Sequence, residues 1–279
     1  MKLVRFGLVS QASIPLATFY ERAFGFRPGG AAQLTPPQAQ RRTGIADHVL
    51  SRRLCLGNQT VELLEFERAG RSMPSNSPAS DLIFQHLAIV VADMARAYAR
   101  LSSVEGWTAI SSVGPRRLPP SSGGATAFKF RDPEGHPLEL LAFAPGRVPP
   151  AWATATGDDV CLGIDHTAIG VADTARSSAF YARLGLRQAT QTLNEGPEQA
   201  ALDGLTRPIV EVTALMESEA PPHVELLCYQ SAARGLPARV AANDVAATRM
   251  IYGSSGGDEA PGALVDPDGH HLSIERDRP

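Results

Sequence analysis

The fold of this chain is decided by the stretch Arg131-Asp132-Pro133-Glu134-Gly135-His136-Pro137-Leu138-Glu139-Leu140-Leu141. Asp-Pro and Glu-Gly are typical of tight turns, and the leucines that follow indicate a buried strand. Glu139 lies among these leucines. A carboxylate in an apolar strand is costly unless it meets a cation, a metal ion or hydrogen-bond donors. The stretch therefore predicts a turn, a buried strand and one acidic side chain that needs a partner.

A near-copy of this stretch occurs close to the end of the sequence, as Asp266-Pro267-Asp268-Gly269-His270-His271-Leu272-Ser273-Ile274. Other segments are repeated as well. The segment Gly163 to Asp173 closely repeats Gln85 to Asp93, and His223 to Leu227 matches Thr60 to Leu64. Self-similarity of this kind predicts four β-α-β-β-β units. The first unit resembles the third, and the second resembles the fourth.

The composition of the intervening segments sets the predicted boundaries. Units one and two cover residues 1–68 and 82–145 of a first half, and a proline-rich linker covers 146–160. Units three and four cover 161–231 and 237–279 of a second half. Unit four is short: Asp244 is expected to cap its helix, and the residues missing between Tyr252 and Ala263 are expected to include a strand.

The overall composition excludes several classes of protein. The 279 residues are 43% hydrophobic, enough for real cores, and the net charge of -3 gives no electrostatic footprint for nucleic acid or an anionic membrane. No apolar run is long enough for a membrane span or a signal peptide. The three scattered cysteines argue against a disulfide framework or a thiolate zinc site. We expect a cytoplasmic monomer or homodimer that acts on a small molecule, without nucleic-acid or membrane partners.

Two strand patterns give the repeat a family resemblance. One is a first strand of the form His166-Thr167-Ala168-Ile169-Gly170-Val171-Ala172-Asp173, and the other is a last strand that follows Asp-Pro-Glu-Gly-His. Both patterns are similar to strands of the vicinal oxygen chelate superfamily. Its members include glyoxalase I, extradiol dioxygenases, fosfomycin-resistance enzymes and metal-free bleomycin-binding proteins. The resemblance covers nearly the whole chain. It implies an α+β fold in which the four units pair into two curved mixed β-sheet cups with helices outside.

The resemblance also implies a set of metal ligands, because in this superfamily they come from the first and last strands of each unit. Unit two then supplies His86 and Glu139, and unit three supplies His166 and Glu225. Imidazole and carboxylate together suit Zn, Ni, Fe or Mn better than Mg or Ca. Glu139 and Glu225 are also the candidates for moving a proton in catalysis.

The outer units depart from this pattern. Unit one retains Glu62, while Arg5 takes the place of the histidine. In unit four, Ser273 replaces the glutamate and Pro237 falls at the histidine position. Unit four is therefore expected to contribute to no metal site.

The sequence leaves two ways of pairing the units open. Pairing in chain order gathers Arg5 and Glu62 with His86 and Glu139, and neither cup is complete. Pairing of units two and three instead gives a cup, which we call the inner cup, that holds two imidazoles and two carboxylates. Units one and four then form an outer cup without a complete set.

Structural roles compete with these assignments. A histidine in a strand is more often a hydrogen-bonded core residue than a ligand, and either buried glutamate could pair with an arginine. The histidines of the two turn motifs, His136, His270 and His271, are expected to belong to the turns. Glu275 is either a displaced ligand or, by our preferred interpretation, part of a solvated chain end.

Three functions follow from the resemblance. A glyoxalase-like lyase or isomerase would use the metal to polarise adjacent oxygens while a glutamate moves a proton. An extradiol-type dioxygenase would need a histidine and a glutamate from unit four, which that unit lacks, although a non-heme iron oxygenase using the inner set stays possible. A metal-free binding or resistance protein would only hold a small molecule in the cup.

Overall fold

The computed structural model describes residues 1–153, 159–218, 220–231, 239–254 and 262–276. The strands of the first half are β1 (Lys2–Val9), β2 (Arg27–Leu34), β3 (Val49–Leu56), β4 (Gln59–Phe66), β5 (Gln85–Val91), β6 (Thr108–Ala109), β7 (Arg116–Arg117), β8 (Thr126–Arg131) and β9 (Pro137–Ala142). Those of the second half are β10 (Cys161–Gly170), β11 (Arg187–Glu195), β12 (Ile209–Met216), β13 (His223–Tyr229), β14 (Arg249–Ser254), β15 (Gly262–Val265) and β16 (His271–Arg276). The helices are α1 (Ser13–Phe24), α2 (Pro36–Thr43), α3 (Met94–Ser102), α4 (Pro150–Ala153), α5 (Thr174–Arg183) and α6 (Gly196–Asp203). None of these helices is long and apolar enough to cross a membrane.

The strands form two mixed sheets. One has the order β15-β16-β14-β1-β4-β3-β2, and the other has the order β11-β12-β13-β10-β5-β9-β8-β6, with β7 also paired to β8. At the centre of the sheets, β14 runs antiparallel to β1 and β5 runs antiparallel to β10. The sheets therefore pair unit two with unit three and unit one with unit four. The predicted α+β fold is confirmed, and pairing in chain order is wrong.

Units that are consecutive in the chain meet through their helices and turns instead. Helix α1 packs on α3, and the hydroxyl of Tyr20 donates a hydrogen bond to Asp132 in the turn before β9. In the second half the hydroxyl of Tyr181 donates to Asp266 in the same way. Both tyrosines are fully buried, so the repeated Asp-Pro turn fastens one unit's helix to the next unit's last strand.

The turn histidines have local structural roles. His136 lies in the predicted turn and contacts Asp132 through Nδ1, while its Nε2 donates to the carbonyl of Val9. His270 contacts the carbonyl of Gly170 in the equivalent place. His271 is the first residue of β16, not part of the turn, and its Nε2 donates to Val240. These contacts account for all three histidines without a metal ion.

Unit four differs from its predicted form. Asp244 caps no helix, because residues 242–246 form turns and a bend and β14 begins at Arg249. The carboxylate of Asp244 instead accepts hydrogen bonds from the side chain and backbone of Arg71. The described part of this unit, which omits residues 255–261, therefore contains three strands that join the first sheet directly.

Helices α2 and α6 lie across the sheet faces that carry the candidate ligand positions, in segments for which we predicted no helix. Ala39 of α2 packs with Val9 and Leu64. Leu202 of α6 packs with Ala88 and Leu141, which lie on the same strand faces as the candidate ligands of β5 and β9. Each cup is thus covered by one short helix, whereas α1, α3 and α5 pack outside.

Candidate functional site

The four predicted ligands lie side by side on neighbouring strands of the second sheet. His86 is on β5, Glu139 on β9, His166 on β10 and Glu225 on β13, and these strands follow one another in the order β13-β10-β5-β9. The imidazole rings of His86 and His166 have centroids 5.6 Å apart. The inner cup therefore gathers residues that are up to 139 positions apart in the sequence, from His86 to Glu225.

Three of the four residues converge on a common point. One ligand atom from each of His86, Glu139 and His166 lies within 4.8 Å of the others, and all three side chains are buried. Glu225 lies at the edge of this group, with Oε2 3.5 Å from Nε2 of His166 and its side chain 22% exposed. The three buried residues form a compact donor set, and Glu225 is the member that reaches the open side.

His86 has an unusual environment for a buried histidine. Its Nε2 lies 3.0 Å from Oε2 of Glu139, but the two atoms are misaligned for a hydrogen bond. Neither ring nitrogen has a hydrogen-bond partner within the described ranges. Burial lowers the pKa of His86, so the ring is neutral at pH 7 and keeps a free lone pair. Buried polar atoms are rarely left unpaired, which favours a ligand at this position.

His166 is oriented by the residue before it. The pairing of β10 with β5 is irregular between Ile164 and His166, and this irregularity brings Asp165 beside the imidazole ring. Oδ2 of Asp165 lies 3.0 Å from Nδ1 of His166, while its Oδ1 accepts a hydrogen bond of 3.0 Å from the indole of Trp152. A carboxylate on Nδ1 leaves Nε2 as the coordinating atom, the usual arrangement for a metal-bound histidine.

The carboxylates around His166 control its charge. Burial alone would lower the pKa of His166, but Glu225 and Asp165 raise it to about 9. Burial acts against ionisation of Glu225 as well, yet His166 and His223 hold the pKa of that carboxyl far below its usual range. Without a metal ion, His166 is therefore protonated, and its positive charge balances the negative charge of these carboxylates.

His223 was missed by the sequence analysis. It lies opposite His166 in the pairing of β10 with β13, and its Nε2 is 3.5 Å from Oε1 of Glu225. Asp165, His166 and His223 form a second group of three close donors. The signal was available, because His223 precedes Glu225 by two residues and so shares its strand face.

Lys129 was also missed, although it interrupts the apolar run of β8. It lies opposite Glu139 in the pairing of β8 with β9, and Nζ is 2.8 Å from Oδ1 of Asp203 in α6. Burial would lower the pKa of Lys129, but Asp203 and Glu139 raise it. Asp203 also accepts hydrogen bonds from Tyr229 and Gln199. This buried network fixes α6 over the inner cup.

A comparison with protein-family models matches part of the first half of the chain. Residues 15–140 match the model of the Glyoxalase/Bleomycin resistance protein/Dioxygenase superfamily. Over these residues, which lie in units one and two, the chain is similar to this superfamily. No curated protein matches it by sequence.

Solved structures share the whole two-sheet fold of this chain. Glyoxalase I from Zea mays superimposes with a TM-score of 0.64 at 14% identity, covering 98% of this chain and 91% of that chain. A putative dioxygenase from Bacillus subtilis superimposes with a TM-score of 0.58 at 13% identity, covering 100% and 86%. At such identities the likeness extends to the fold alone.

The outer cup departs from the superfamily's ligand pattern. Glu62 pairs with Gly7 of β1 as Glu225 pairs with Ala168 of β10, which confirms the alignment of Arg5 with His166. Pro237 lies outside the described residues. The position of His86 is taken by Arg249 instead, which faces Gly7 as His86 faces Ala168. Both histidine positions of this cup therefore carry arginine.

Ion pairs fill the outer cup. Oε2 of Glu62 accepts from Nε of Arg5 at 3.1 Å and from Nη2 of Arg42 at 2.6 Å. Glu275 pairs with the same two arginines, with Nε of Arg42 at 2.7 Å. The preferred interpretation of Glu275 as part of a solvated chain end is therefore wrong: its carboxylate closes a four-residue network that joins α2 and β16 to β1 and β4.

Proposed function

We propose that this protein is a divalent-metal-dependent enzyme of the glyoxalase-like type, a lyase or isomerase that acts on a small oxygenated metabolite. The observation that carries the proposal is the buried group of His86, Glu139 and His166 within 4.8 Å. In addition, Nδ1 of the buried His86 has no hydrogen-bond partner within the described ranges, which favours a bound group over a purely structural cluster.

The residues present fit a divalent ion. His86, Glu139 and His166 would hold it through two imidazoles and one carboxylate, and Glu225 is placed to act as a fourth ligand. This donor set suits Zn, Ni, Fe or Mn. When bound, such an ion polarises adjacent oxygens of a substrate.

Glu225 is the residue best placed to move a proton. Its carboxylate is ionised at neutral pH, and its partial exposure gives it access to a substrate entering from the open side of the cup. Glu139, by contrast, is only 7% exposed and lies opposite Lys129 in the pairing of β8 with β9. Its buried carboxylate is therefore suited to holding a cation. We therefore assign the base to Glu225 and the principal anionic ligand to Glu139.

Metal analysis tests the proposal directly. Purified protein, stripped with a chelator and titrated with Zn²⁺, Ni²⁺, Fe²⁺ and Mn²⁺, is expected to bind at least one of these ions. Glu139→Gln should abolish that binding, while the matched variant Glu62→Gln in the outer cup should retain it. Failure of wild-type protein to bind any of the four ions would overturn the proposal in favour of a metal-free binding protein.

Oxygen uptake separates the two enzyme classes. A lyase or isomerase consumes no oxygen during turnover, whereas a non-heme iron dioxygenase consumes it stoichiometrically. Unit four has Arg249 and Ser273 at its two ligand positions. An extradiol-type site would draw a histidine and a glutamate from that unit, so these residues favour a lyase or isomerase over a dioxygenase.

A further inference from the structure

A cleft separate from both cups lies where the two sheets meet. Its volume is about 530 Å³, and none of the candidate metal ligands lines it. Apolar side chains from both sheets and from the connecting segment form its walls, among them Phe24, Leu56, Val90, Phe143 and Trp152. Small-molecule sites have volumes of roughly 300 to 1,000 Å³, so the cleft has room for a ligand of that size.

The charged residues of the cleft favour an anion. Among the described residues that line it, Arg27 and Arg100 are the cations and Asp159 carries the one carboxylate. Nε and Nη2 of Arg100 are used to cap α1, donating to the carbonyls of Arg22 and Glu21. Nη1 of Arg100 lies beside Gly25 and makes no hydrogen bond to a described residue. A guanidinium fixed in this way can bind a carboxylate or sulfonate without further ordering.

Trp152 connects this cleft with the inner cup. Its indole ring lies against Gly163 of β10, where a Cβ atom would come within 2.7 Å of the ring. The indole N–H donates to Oδ1 of Asp165, and Oδ2 of the same carboxylate lies 3.0 Å from Nδ1 of His166. Two consecutive hydrogen bonds therefore lead from a wall of the cleft to a candidate metal ligand.

We propose that the cleft is a second small-molecule site, which takes a ligand with an apolar body and one anionic group, and that its occupancy is coupled to metal binding through Trp152 and Asp165. A ligand packed on the indole ring holds the N–H on Asp165 and so keeps His166 in its coordinating orientation. The ligand therefore strengthens metal binding, and by reciprocity the metal strengthens ligand binding by the same factor. Binding in the cleft is independent of the proposed function, whereas the coupling depends on it.

The first experiment tests the cleft in the metal-free protein. The probe is 8-anilinonaphthalene-1-sulfonate, whose aromatic body and sulfonate have the required chemistry, and binding is followed by its fluorescence. Ala92 is exposed and lines the cleft, so Ala92→Trp should block the site and weaken probe binding by at least about tenfold, or 1.4 kcal/mol. Ala95→Trp, at an exposed position of α3 outside the cleft, is the matched control and should bind normally. Equal affinities of the two variants would overturn the site.

The second experiment tests the coupling. Zn²⁺ affinity is measured by calorimetry with and without saturating probe, and the probe should raise it by about fivefold in wild-type protein. Trp152→Phe removes the N–H donor, so the fivefold effect should disappear when Zn²⁺ affinity is measured at a probe concentration that saturates this variant. An unchanged Zn²⁺ affinity in the wild type, or an undiminished effect in the variant, would overturn the coupling. If Zn²⁺ does not bind, the titration is repeated with Ni²⁺, Fe²⁺ and Mn²⁺. Failure of all four ions to bind would overturn the coupling together with the proposed function, while the first experiment would still decide the cleft.

Discussion

Arg249 of β14 occupies in the outer cup the position that His86 of β5 occupies in the inner cup. Arg249 pairs with Gly7, which lies two residues after Arg5 on β1. In the same way, His86 pairs with Ala168, which lies two residues after His166 on β10. With Arg5 at the other histidine position, the outer cup presents two guanidiniums, which are not deprotonated in proteins and repel a metal cation. The duplicated scaffold thus has one cup with a metal donor set and one closed by ion pairs.

The first prediction is that the chain binds one metal ion, not two. The arginines of the outer cup already neutralise its carboxylates, whereas the inner cup has the donor set. Titration with Zn²⁺ should therefore reach a stoichiometry of one per chain in wild-type protein. His86→Ala should weaken this binding by about 100-fold or more, because it removes a direct ligand. A stoichiometry of two would show that the outer cup retains a site.

The second prediction separates the roles of the two inner glutamates. Glu225→Gln should nearly abolish turnover while weakening metal affinity much less than Glu139→Gln does, because Glu225 lies at the edge of the donor group. Loss of a positioned base typically costs about 10²- to 10⁴-fold in rate. The measurements are kcat and calorimetric metal affinity, with the exposed Glu195→Gln as control. Equal loss of metal affinity in both variants would assign Glu225 a ligand role only.

The third prediction concerns pH and the metal-free protein. The pKa of His166 is raised from 6.5 to about 9 in the folded state, so its stabilising effect is fully present below pH 6.5 and is lost as the pH rises through 9. The free energy of unfolding, measured with urea in the presence of a chelator, should fall by about 3 kcal/mol between pH 6.5 and 9.5 from this group.

His166→Gln should remove that fall, and the exposed His48→Gln should not. In the same pH range Zn²⁺ affinity should rise with pH, because the ion must displace a proton from the imidazolium. A pH-independent affinity between 6.5 and 9 would contradict the assignment of His166 as a protonated ligand in the metal-free protein.

The fourth prediction concerns the outer cup. Burial would raise the pKa of Glu62, but Arg42 and Arg5 lower it to about 2. Its contribution is present above the unfolded value of 4.5 and is lost as the pH falls towards 2, which amounts to about 3 kcal/mol. Glu62→Gln should lower the free energy of unfolding at pH 7 and flatten its decrease between pH 5 and 2. Glu67→Gln, at an exposed position on the same strand's end, should change neither.

The sequence by itself determined the repeat, the α+β fold and the positions of the four candidate ligands. These depend on local patterns: the Asp-Pro turns, the apolar strands, and a histidine or glutamate at a fixed place in each motif. Because the same motif recurs in each unit, the alignment of Arg5 with His166 could be read without coordinates. The position of Arg249 could not, because the described residues that follow Asp244 are turns and β14, not the helix that was expected to mark the register of unit four.

The tertiary structure alone decided which units pair. Either pairing satisfies the same hydrogen bonds within each unit, so the choice depends on contacts between distant strands, such as β5 with β10 and β1 with β14. Only that choice brings His86 beside His166 and places Glu275 between Arg5 and Arg42. It also forms the hydrogen bonds that link Trp152 through Asp165 to His166 in the inner cup. A side chain's local sequence sets the face of the strand on which it lies, while the packing of the sheets sets what it meets there.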